Sequence, residues 1–472
     1  MRRSLIVLLA GFVTLTGYFA GQRKNPPGFY LDESSIAYNA LTIAQRGHDE
    51  WGVRWPFYFR AFGEYKNPVY IYLLAGVFRV THPSNLVARR FSAILGYAAA
   101  VAIGLLAFSI TRRRWIGWTV FLLALTTPQL FEVSRLVFEV ALFPLAIALF
   151  LFCAYIAARP ERWSGWLIAA LTASLALITF TYSTGRMLGA AFALALFILA
   201  DNREKATGAA IVLAAYAVTS IVPLLVFNAT HDGALTQRSS ESTLLREKGD
   251  WGRKIAMFEE QYVGNLLPLG MALRGDPNPR HHVPGSLGAI DLGVLLLDVA
   301  SLFLVIRKRD RWWLFVVVLI AVSVVPASLF DERGHALRLI PLPILLLLLA
   351  IPALESRRTL RAAALLLCVL QASWFFHVFA KYGATRTNVF DAGYPHALRV
   401  ALAQPIRPIY LPSSSYVHAD WYAALAGIPL SNFTTIDPGR TRHIVVGSIH
   451  EVRCDGCKEL IRDEDFGAWV TP

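Results

Sequence analysis

The stretch that decides the fold runs from Asn25 to Tyr72 and reads NPPGFYLDESSIAYNALTIAQRGHDEWGVRWPFYFRAFGEYKNPVYIY. It follows the first apolar segment directly, and the chain stays mostly apolar for a long way beyond it. An acidic pair, Asp32 and Glu33, stands near its front, just ahead of a predicted short helix. The rest of the chain has the pattern of a membrane scaffold that holds this loop in place.

The composition indicates a polytopic membrane protein. Of 472 residues, 56% are hydrophobic and only 16% are charged, whereas soluble domains carry about 25% charged residues. The net charge is +13, which also suits nucleic-acid binders, but those gather Lys and Arg on one surface. Here the basic residues fall in short clusters between apolar runs, which is the pattern of membrane topology.

Eleven apolar runs are long enough to span a membrane or nearly so, since a span needs about 20 residues and at least roughly 17. They are 4–21, 86–110, 115–131, 139–158, 163–181, 187–200, 207–227, 290–306, 312–330, 336–354 and 359–380. Basic clusters follow every second run, so those loops are predicted to be cytoplasmic. The first run follows Arg2 and Arg3 and could be a signal peptide, but its length favours an uncleaved span.

This alternation divides the chain into a membrane domain, 1–380, and a small outer domain, 381–472. Within the membrane domain, 22–85 and 228–289 are predicted to be outer loops. The assignment requires that Pro68 to Val80 lie in the outer interface without crossing; a crossing would lead to a thirteen-span version.

The outer tail alternates strand-like and helix-like pieces. Arg407 to Leu411 and His443 to Val446 are predicted strands, and Ala419 to Ala426 is a predicted helix. A small α/β appendage follows from this order. Cys454 and Cys457 form a CDGC motif that on the outer side favours a disulfide over a metal or redox site. The acidic run from Asp463 to Asp465 is interpreted as a solvated surface.

The first outer loop is predicted to hold an amphipathic helix at about 35–46, lying on the bilayer. Ser34 or Ser35 serves as its N-cap and Gly47 as its stop. Helix N-termini favour carboxylates, so Asp32 is expected to be ionised and able to accept a proton. The alternative is that the acidic pair only caps the helix.

Further along this loop, Lys66 stands against the next membrane segment among aromatic residues. A lysine there suits a phosphate at headgroup level. A lysine that only snorkels to the interface is the other interpretation.

Three motifs carry a resemblance to a known family: NPPGFYLDESSIAYNALTIAQRGHDEWG, FGEYKNPVYIYLLAGVF and VARRFSAILG. They resemble the front end of the GT-C glycosyltransferases and are similar to bacterial relatives of protein O-mannosyltransferase and aminoarabinose transferase (glycosyltransferase family 39/83-like). Two residues depart from the family pattern. Asn67 follows the lysine where Pro is usual, and Glu139 is the second-loop acid where Asp is common.

The resemblance implies an all-α polytopic GT-C fold with about 11–13 transmembrane helices. It implies an inverting glycosyltransferase in the bacterial inner membrane whose active site faces the periplasm. A sugar would leave a polyprenyl-phosphate donor for an unknown acceptor: protein, lipid or glycan. No cofactor is implied; a divalent metal is possible but not required. The absence of GxGxxG and P-loop motifs agrees with a lipid-borne donor.

The resemblance also suggests roles for particular side chains. Asp32 would take the acceptor proton, while Glu33 and Glu139 would orient the acceptor or catalytic groups. The candidates for the donor phosphate are Lys66, Arg338, Arg186 and His335. The candidates for an acceptor-contacting surface or lid are Tyr65, Arg280, His281 and His282.

Each of these assignments has a simpler alternative. Arg186 and Arg338 could instead pair with Glu132, Asp331 or Glu332, and Arg338 is preferred over Arg186 as the phosphate ligand. Arg135 and Glu139 are four apart and could form an ion pair on one helix face. A metal at His281 and His282 is disfavoured because no acidic or histidine partner stands at a recognisable spacing.

Two other functions fit a membrane protein of this kind. Asp298 lies inside an apolar run, and such a residue is a functional candidate for a proton-coupled transporter or lipid flippase. Because it is alone, a hydrogen bond inside the bundle is the preferred interpretation. The third possibility is a non-catalytic assembly protein that binds partners through its tail.

Overall fold

A computed structural model describes residues 2–231, 234–235, 244, 250–412, 415–439, 441–452, 454 and 456–472. Parts of the predicted outer loop 228–289 therefore lie outside the described residues.

Helices occupy every apolar run found in the sequence. The helices of the membrane part are Arg2–Phe19, Leu31–Arg46, Pro68–Val80, Asn85–Thr111, Arg114–Thr126, Pro128–Val133, Phe143–Ala157, Gly165–Thr181, Gly185–Ala195, Arg203–Tyr216, Val222–Thr230, Trp251–Leu266, Leu269–Leu273, Leu292–Lys308, Arg311–Ser323, Val325–Ser328, Pro341–Leu349, Ile351–Ser356 and Arg358–Tyr382. Short 3-10 or π segments extend several of them, including Glu139–Leu142 and Ala217–Ile221. The predicted all-α membrane fold is confirmed.

Among the described residues, five helical stretches are long and apolar enough to cross a membrane: Asn85–Thr111, Glu139–Ala157, Arg203–Thr230, Arg311–Ser328 and Arg358–Thr385. Shorter apolar helices lie between them. The chain is thus an integral membrane protein, while its number of spans stays a prediction.

The centre of the bundle is the helix Pro341–Leu349, in which all nine residues are buried. A helix that is apolar all round has no polar face to turn outward, so it packs inside other helices. Its side chains join one large core with helices from both halves of the chain. The helices that support the first loop therefore share one continuous hydrophobic core.

The helix of the first loop differs from its prediction. It runs from Leu31 to Arg46, starting four residues early, so Ser34 and Ser35 lie inside it and Tyr30 is the N-cap. Gly47 ends it at φ 72°, as predicted. Every residue from Glu33 to Ile43 is buried. The helix is therefore enclosed by protein and does not lie on the bilayer as an amphipathic helix, because Pro68–Val80 and the tail helix Ser415–Ala426 pack against it.

Two short strands connect this helix to the next. Strand β1 (Phe59–Ala61) and strand β2 (Glu64–Lys66) pair antiparallel. The helix Pro68–Val80 follows at once and has 13 residues, about 20 Å at 1.5 Å per residue. That is too short to cross a hydrocarbon core of about 30 Å.

The tail forms a small α/β unit around a mixed sheet. Its strands are β3 (Ile409–Tyr410), β4 (Phe433–Thr434), β5 (Ile444–Ser448), β6 (Lys458–Asp463) and β7 (Phe466–Val470), in the order β4-β3-β5-β7-β6. Strands β3 and β5 coincide with the two predicted strands, and the helices Tyr394–Leu402 and Ser415–Ala426 pack beside the sheet. Cys454 and Cys457 form a disulfide.

Candidate active site

The tail fixes the start of the helix that carries Asp32. The Leu31 N–H donates to Asp391 Oδ2 at 3.0 Å, and His418 Nε2 lies 3.1 Å from the same oxygen. His418 Nδ1 in turn contacts Ser34 Oγ at 2.9 Å. Side chains more than 350 residues away thus hold the first turn of this helix, and no local sequence signal indicates it.

Asp32 forms an ion pair with Lys66, with Lys66 Nζ 2.5 Å from Asp32 Oδ1. The hairpin of β1 and β2 brings Lys66 to this place. The Lys66 side chain is only 8% exposed, whereas Asp32 is 34% exposed. The site therefore presents a carboxylate to the outside with a buried cation directly behind it.

Burial by itself lowers the pKa of Lys66, but the charges of Asp32 and Glu139 outweigh it, and the pKa ends above its ordinary value. The amine is therefore held as a cation at neutral pH. A cation that stays charged inside protein is suited to binding an anion such as a phosphate.

Asn67 links Lys66 to a second acid. Its backbone N–H donates to Glu139 Oε1, and its Nδ2 donates to Glu139 Oε2 at 3.0 Å. Its Oδ1 accepts from Arg186 Nη2 at 3.2 Å. Proline, usual here in the related family, could make none of these side-chain contacts and has no backbone N–H.

Glu139 therefore lies in the same group as Lys66, but Arg135 does not pair with it. Ser134 closes the helix Pro128–Val133, and Glu139 opens a separate 3-10 turn, so no shared helix face exists. Arg135 instead donates to the carbonyls of Asn25, Tyr18 and Ala20. The predicted Arg135–Glu139 pair is wrong.

The contacts of Glu33 are all with the protein scaffold. Its side chain is fully buried and forms a two-point ion pair with Arg89, at 3.0 Å to Nε and 2.7 Å to Nη2. The N–H groups of Tyr30 and Val137 also donate to it, both at 3.0 Å. Both Glu33 oxygens are bonded twice and have no access to solvent, so Glu33 anchors the scaffold; its role in orienting the acceptor or catalytic groups stays a prediction.

Arg280 approaches the site from the predicted outer loop 228–289. Its guanidinium lies 3.4 Å from the ring centroid of Tyr30, the residue that precedes the Asp32 helix. Tyr65 packs its ring against Phe227 and His231. These placements leave Arg280 and Tyr65 as candidates for contacts with an acceptor.

His281 and His282 are buried, and each has an acidic neighbour, contrary to the sequence-based expectation. His281 Nδ1 lies 2.8 Å from Asp276 Oδ2. His282 Nδ1 lies 2.7 Å from Glu132 Oε2, and Glu132 also pairs with Arg386 at 3.3 Å. The contacts of His282 and Glu132 hold the loop that carries His282 against the helix Pro128–Val133.

Arg338 and His335 lie on the hairpin that follows. Arg338 Nη1 is 3.1 Å from Glu332 Oε2, which is the ion pair that the simpler interpretation expected. The His335 ring lies 4.8 Å from that of His281. Burial, with Arg338 and His281 nearby, lowers the pKa of His335 to about 3, so its imidazole is neutral. A role for either residue in phosphate binding stays a prediction.

Sequence reasoning missed the residues that join distant segments. Arg89 stands in a motif that was noticed for its resemblance, yet nothing local identifies Glu33 as its partner. Asp391 and His418 belong to the tail, which was treated as an appendage. Asn67 departs from the family pattern, and this departure is the one sequence signal for its side-chain contacts with Glu139 and Arg186.

Comparison with solved structures shows what this architecture resembles. ArnT from Cupriavidus metallidurans in the apo state aligns with a TM-score of 0.67 and 13% identity, covering 100% of this chain and 98% of ArnT. ArnT bound to undecaprenyl phosphate gives 0.64 and 12%, covering 99% and 97%. The apo oligosaccharyltransferase of Archaeoglobus fulgidus gives 0.51 and 12%, covering 94% of this chain and 69% of that enzyme.

No family model and no curated protein sequence matches this chain. At 12–13% identity the structural likeness shows a shared fold. The predicted GT-C fold, with its likeness to aminoarabinose transferase, is therefore confirmed as a fold.

Proposed function

We propose that this chain is an inverting glycosyltransferase that moves a sugar from a polyprenyl-phosphate donor to an acceptor at the outer face of the bacterial inner membrane. The observation that carries the proposal is the pair of an accessible Asp32 and a buried Lys66. The fold supports it, since ArnT, which shares that fold, has been crystallised with undecaprenyl phosphate.

The pair suggests how the reaction begins. Without donor, Lys66 donates to Asp32. The donor phosphate, a diester with one negative charge, competes with Asp32 for Lys66, which frees Asp32 to act as a base. As the bond to the sugar breaks, the phosphate gains a second negative charge, which Lys66 stabilises. The acceptor nucleophile then attacks the anomeric carbon, its proton passes to Asp32, and the bond to the lipid phosphate breaks with its electrons on the phosphate oxygen.

Further cations would stabilise that leaving phosphate. Arg186 is attached to the Lys66 segment through Asn67. Arg338 is the second candidate. Fixed cations aimed at a charge that develops in the transition state lower the barrier without reorganising.

Transfer by Asp32→Asn tests the proposal. Membranes that contain the native acceptors receive a labelled polyprenyl-phosphate sugar, and label outside the donor fraction is measured. Asp32→Asn should still bind undecaprenyl phosphate but transfer roughly 10²–10⁴ times more slowly, the usual effect of losing a general base. Asp463→Asn, in the β6–β7 hairpin, is the control. Undiminished transfer by Asp32→Asn would remove Asp32 from the mechanism.

One observation favours a transporter as a second candidate. Asp298 is 6% exposed, and neither carboxylate oxygen has a hydrogen-bond partner among the described residues, so the bundle-internal hydrogen bond predicted for it is wrong. A buried acid without a partner is suited to carrying a proton. If Asp298→Asn abolished function while Asp32→Asn had no effect, transport would replace transfer as the explanation.

A further inference from the structure

The hairpin that carries Lys66 turns through an unusual residue. Ala61 pairs with Glu64, so Phe62 and Gly63 form a two-residue turn. Both have positive φ, 52° at Phe62 and 77° at Gly63, as in the type I′ turn that favours Asn-Gly. Left-handed backbone is rare for a side chain as bulky as Phe. The chain therefore keeps an aromatic residue where Asn would form the turn with less strain.

Packing of the hydrophobic core does not account for the Phe62 ring. Phe62 is half-buried and belongs to none of the hydrophobic clusters formed by the described residues. Its ring centroid instead lies 5.3 Å from Lys66 Nζ, within the distance of about 6 Å at which a cation is attracted to an aromatic face. Backbone strain of this kind persists mainly beside functional groups.

We propose that Phe62 is a positioning residue for Lys66: its ring keeps water from the ammonium and holds it where the donor phosphate binds. The inference rests on the proposed function, since it takes Lys66 as a phosphate ligand. The Lys66 side chain is 8% exposed and contacts Asp32 at 2.5 Å, so little water surrounds it. An ion pair between Lys66 and a phosphate is stronger in such surroundings than in water, and salt screens it less.

The tip of this hairpin borders open space. Gly63 is exposed, and no described residue beyond its chain neighbours has a heavy atom within 4 Å of where a Gly63 Cβ would lie. The Asp32 carboxylate, which shares Lys66, is 34% exposed at its side chain. Water would therefore take the place of the Phe62 ring beside the ammonium if the ring were removed.

The test measures binding of undecaprenyl phosphate to the purified full chain in an uncharged detergent, by lipid titration at about 50 mM and about 500 mM salt. Phe62→Asn suits the turn and removes the ring. It should weaken binding about tenfold at the lower salt concentration, and its binding should fall more steeply with salt than that of the wild type. Phe62→Tyr keeps a ring and should restore both wild-type values.

A matched control separates this role from a general effect on hairpins. Glu464 has φ 55° in the two-residue turn between β6 and β7 of the tail, so Glu464→Asn makes a similar change in another hairpin. It should leave lipid binding and its salt dependence unchanged. Both Asn variants should keep a thermal midpoint close to that of the wild type, because Asn tolerates left-handed backbone. In Phe62→Asn, the relief of strain offsets the lost ring contacts.

The results that would overturn this inference differ from those that would overturn the proposed function. If Lys66→Ala binds undecaprenyl phosphate as the wild type does, Lys66 is no phosphate ligand and both fail. If Lys66→Ala weakens binding but Phe62→Asn changes neither affinity nor salt dependence, only the role of Phe62 fails. The same holds if Phe62→Asn has its full effect in the Lys66→Ala background, because the ring would then act independently of Lys66. A lowered thermal midpoint in Phe62→Asn with an unchanged salt dependence would show that the ring only stabilises the fold.

Discussion

Replacing Glu33 by Gln tests whether Glu33 stabilises the fold while its neighbour Asp32 takes part in the reaction. Glu33 and Asp32 are neighbours in the sequence, but their surroundings differ completely. The Glu33 side chain is fully buried and paired with Arg89, itself 4% exposed, whereas Asp32 is 34% exposed. The two substitutions should therefore affect different quantities.

The expected magnitude follows from the contacts of Glu33. Gln keeps the shape but removes the charge, and its amide N–H₂ would face donors from Arg89 or from the backbone of Tyr30 and Val137. Breaking one partner of a buried ion pair costs about 3–5 kcal/mol of folding free energy. In a chain of 472 residues that lowers the thermal midpoint by roughly 3–5 °C.

The measurement is thermal unfolding in detergent, followed by tryptophan fluorescence, alongside the transfer assay. Asp32→Asn should cost less, roughly 1–2 kcal/mol, because its pair is partly solvated. The double variant Glu33→Gln, Arg89→Met should regain much of the loss, since it removes the stranded cation. An unchanged thermal midpoint in Glu33→Gln together with lost transfer would refute the reasoning, because Glu33 would then act in the transfer reaction and not in folding stability.

Three further predictions follow from the same contacts. Arg186→Ala should weaken undecaprenyl phosphate binding about tenfold, or roughly 1.4 kcal/mol, as measured by lipid titration. Arg399→Ala, at the end of a tail helix, should leave binding unchanged. Equal effects of the two variants would exclude a specific role of Arg186 in phosphate binding. Asn67→Ala should slow transfer by about tenfold or more with little change in thermal midpoint, because it removes the two side-chain bonds from Asn67 to Glu139 and Arg186 while the backbone bond to Glu139 remains; wild-type rates would show that the side-chain link is dispensable. Burial, with Asp420 nearby, raises the pKa of Glu50 to about 7 from 4.5. The folded state thus favours the neutral acid, and stability should fall as pH rises from about 5 to 8. Glu50→Gln should flatten this dependence and be more stable at pH 8 by up to about 3 kcal/mol, whereas an unaltered pH profile of the midpoint would contradict the assignment.

The membrane class and the helical runs could be predicted from sequence because hydrophobicity is a local property. Each apolar run needs no knowledge of its neighbours to be recognised as helical in a bilayer. The strands β3 and β5 of the tail were found for the same reason. The start of the first-loop helix was misplaced because Tyr30 is an unusual N-cap and its first turn is held by Asp391, which lies in the tail.

The candidate site likewise has a part that the sequence determines and a part that depends on tertiary contacts. The sequence by itself determined that Asp32 and Lys66 belong to one polar stretch, since both lie between two apolar segments. Only the tertiary structure decided that Lys66 pairs with Asp32 and that Glu33 pairs with Arg89. It also decided that Arg186 is hydrogen-bonded to the Lys66 segment through Asn67. Those outcomes depend on contacts between segments 34 to 119 residues apart. No residue pattern encodes such contacts locally, because it is the packing of the whole bundle that brings the segments together.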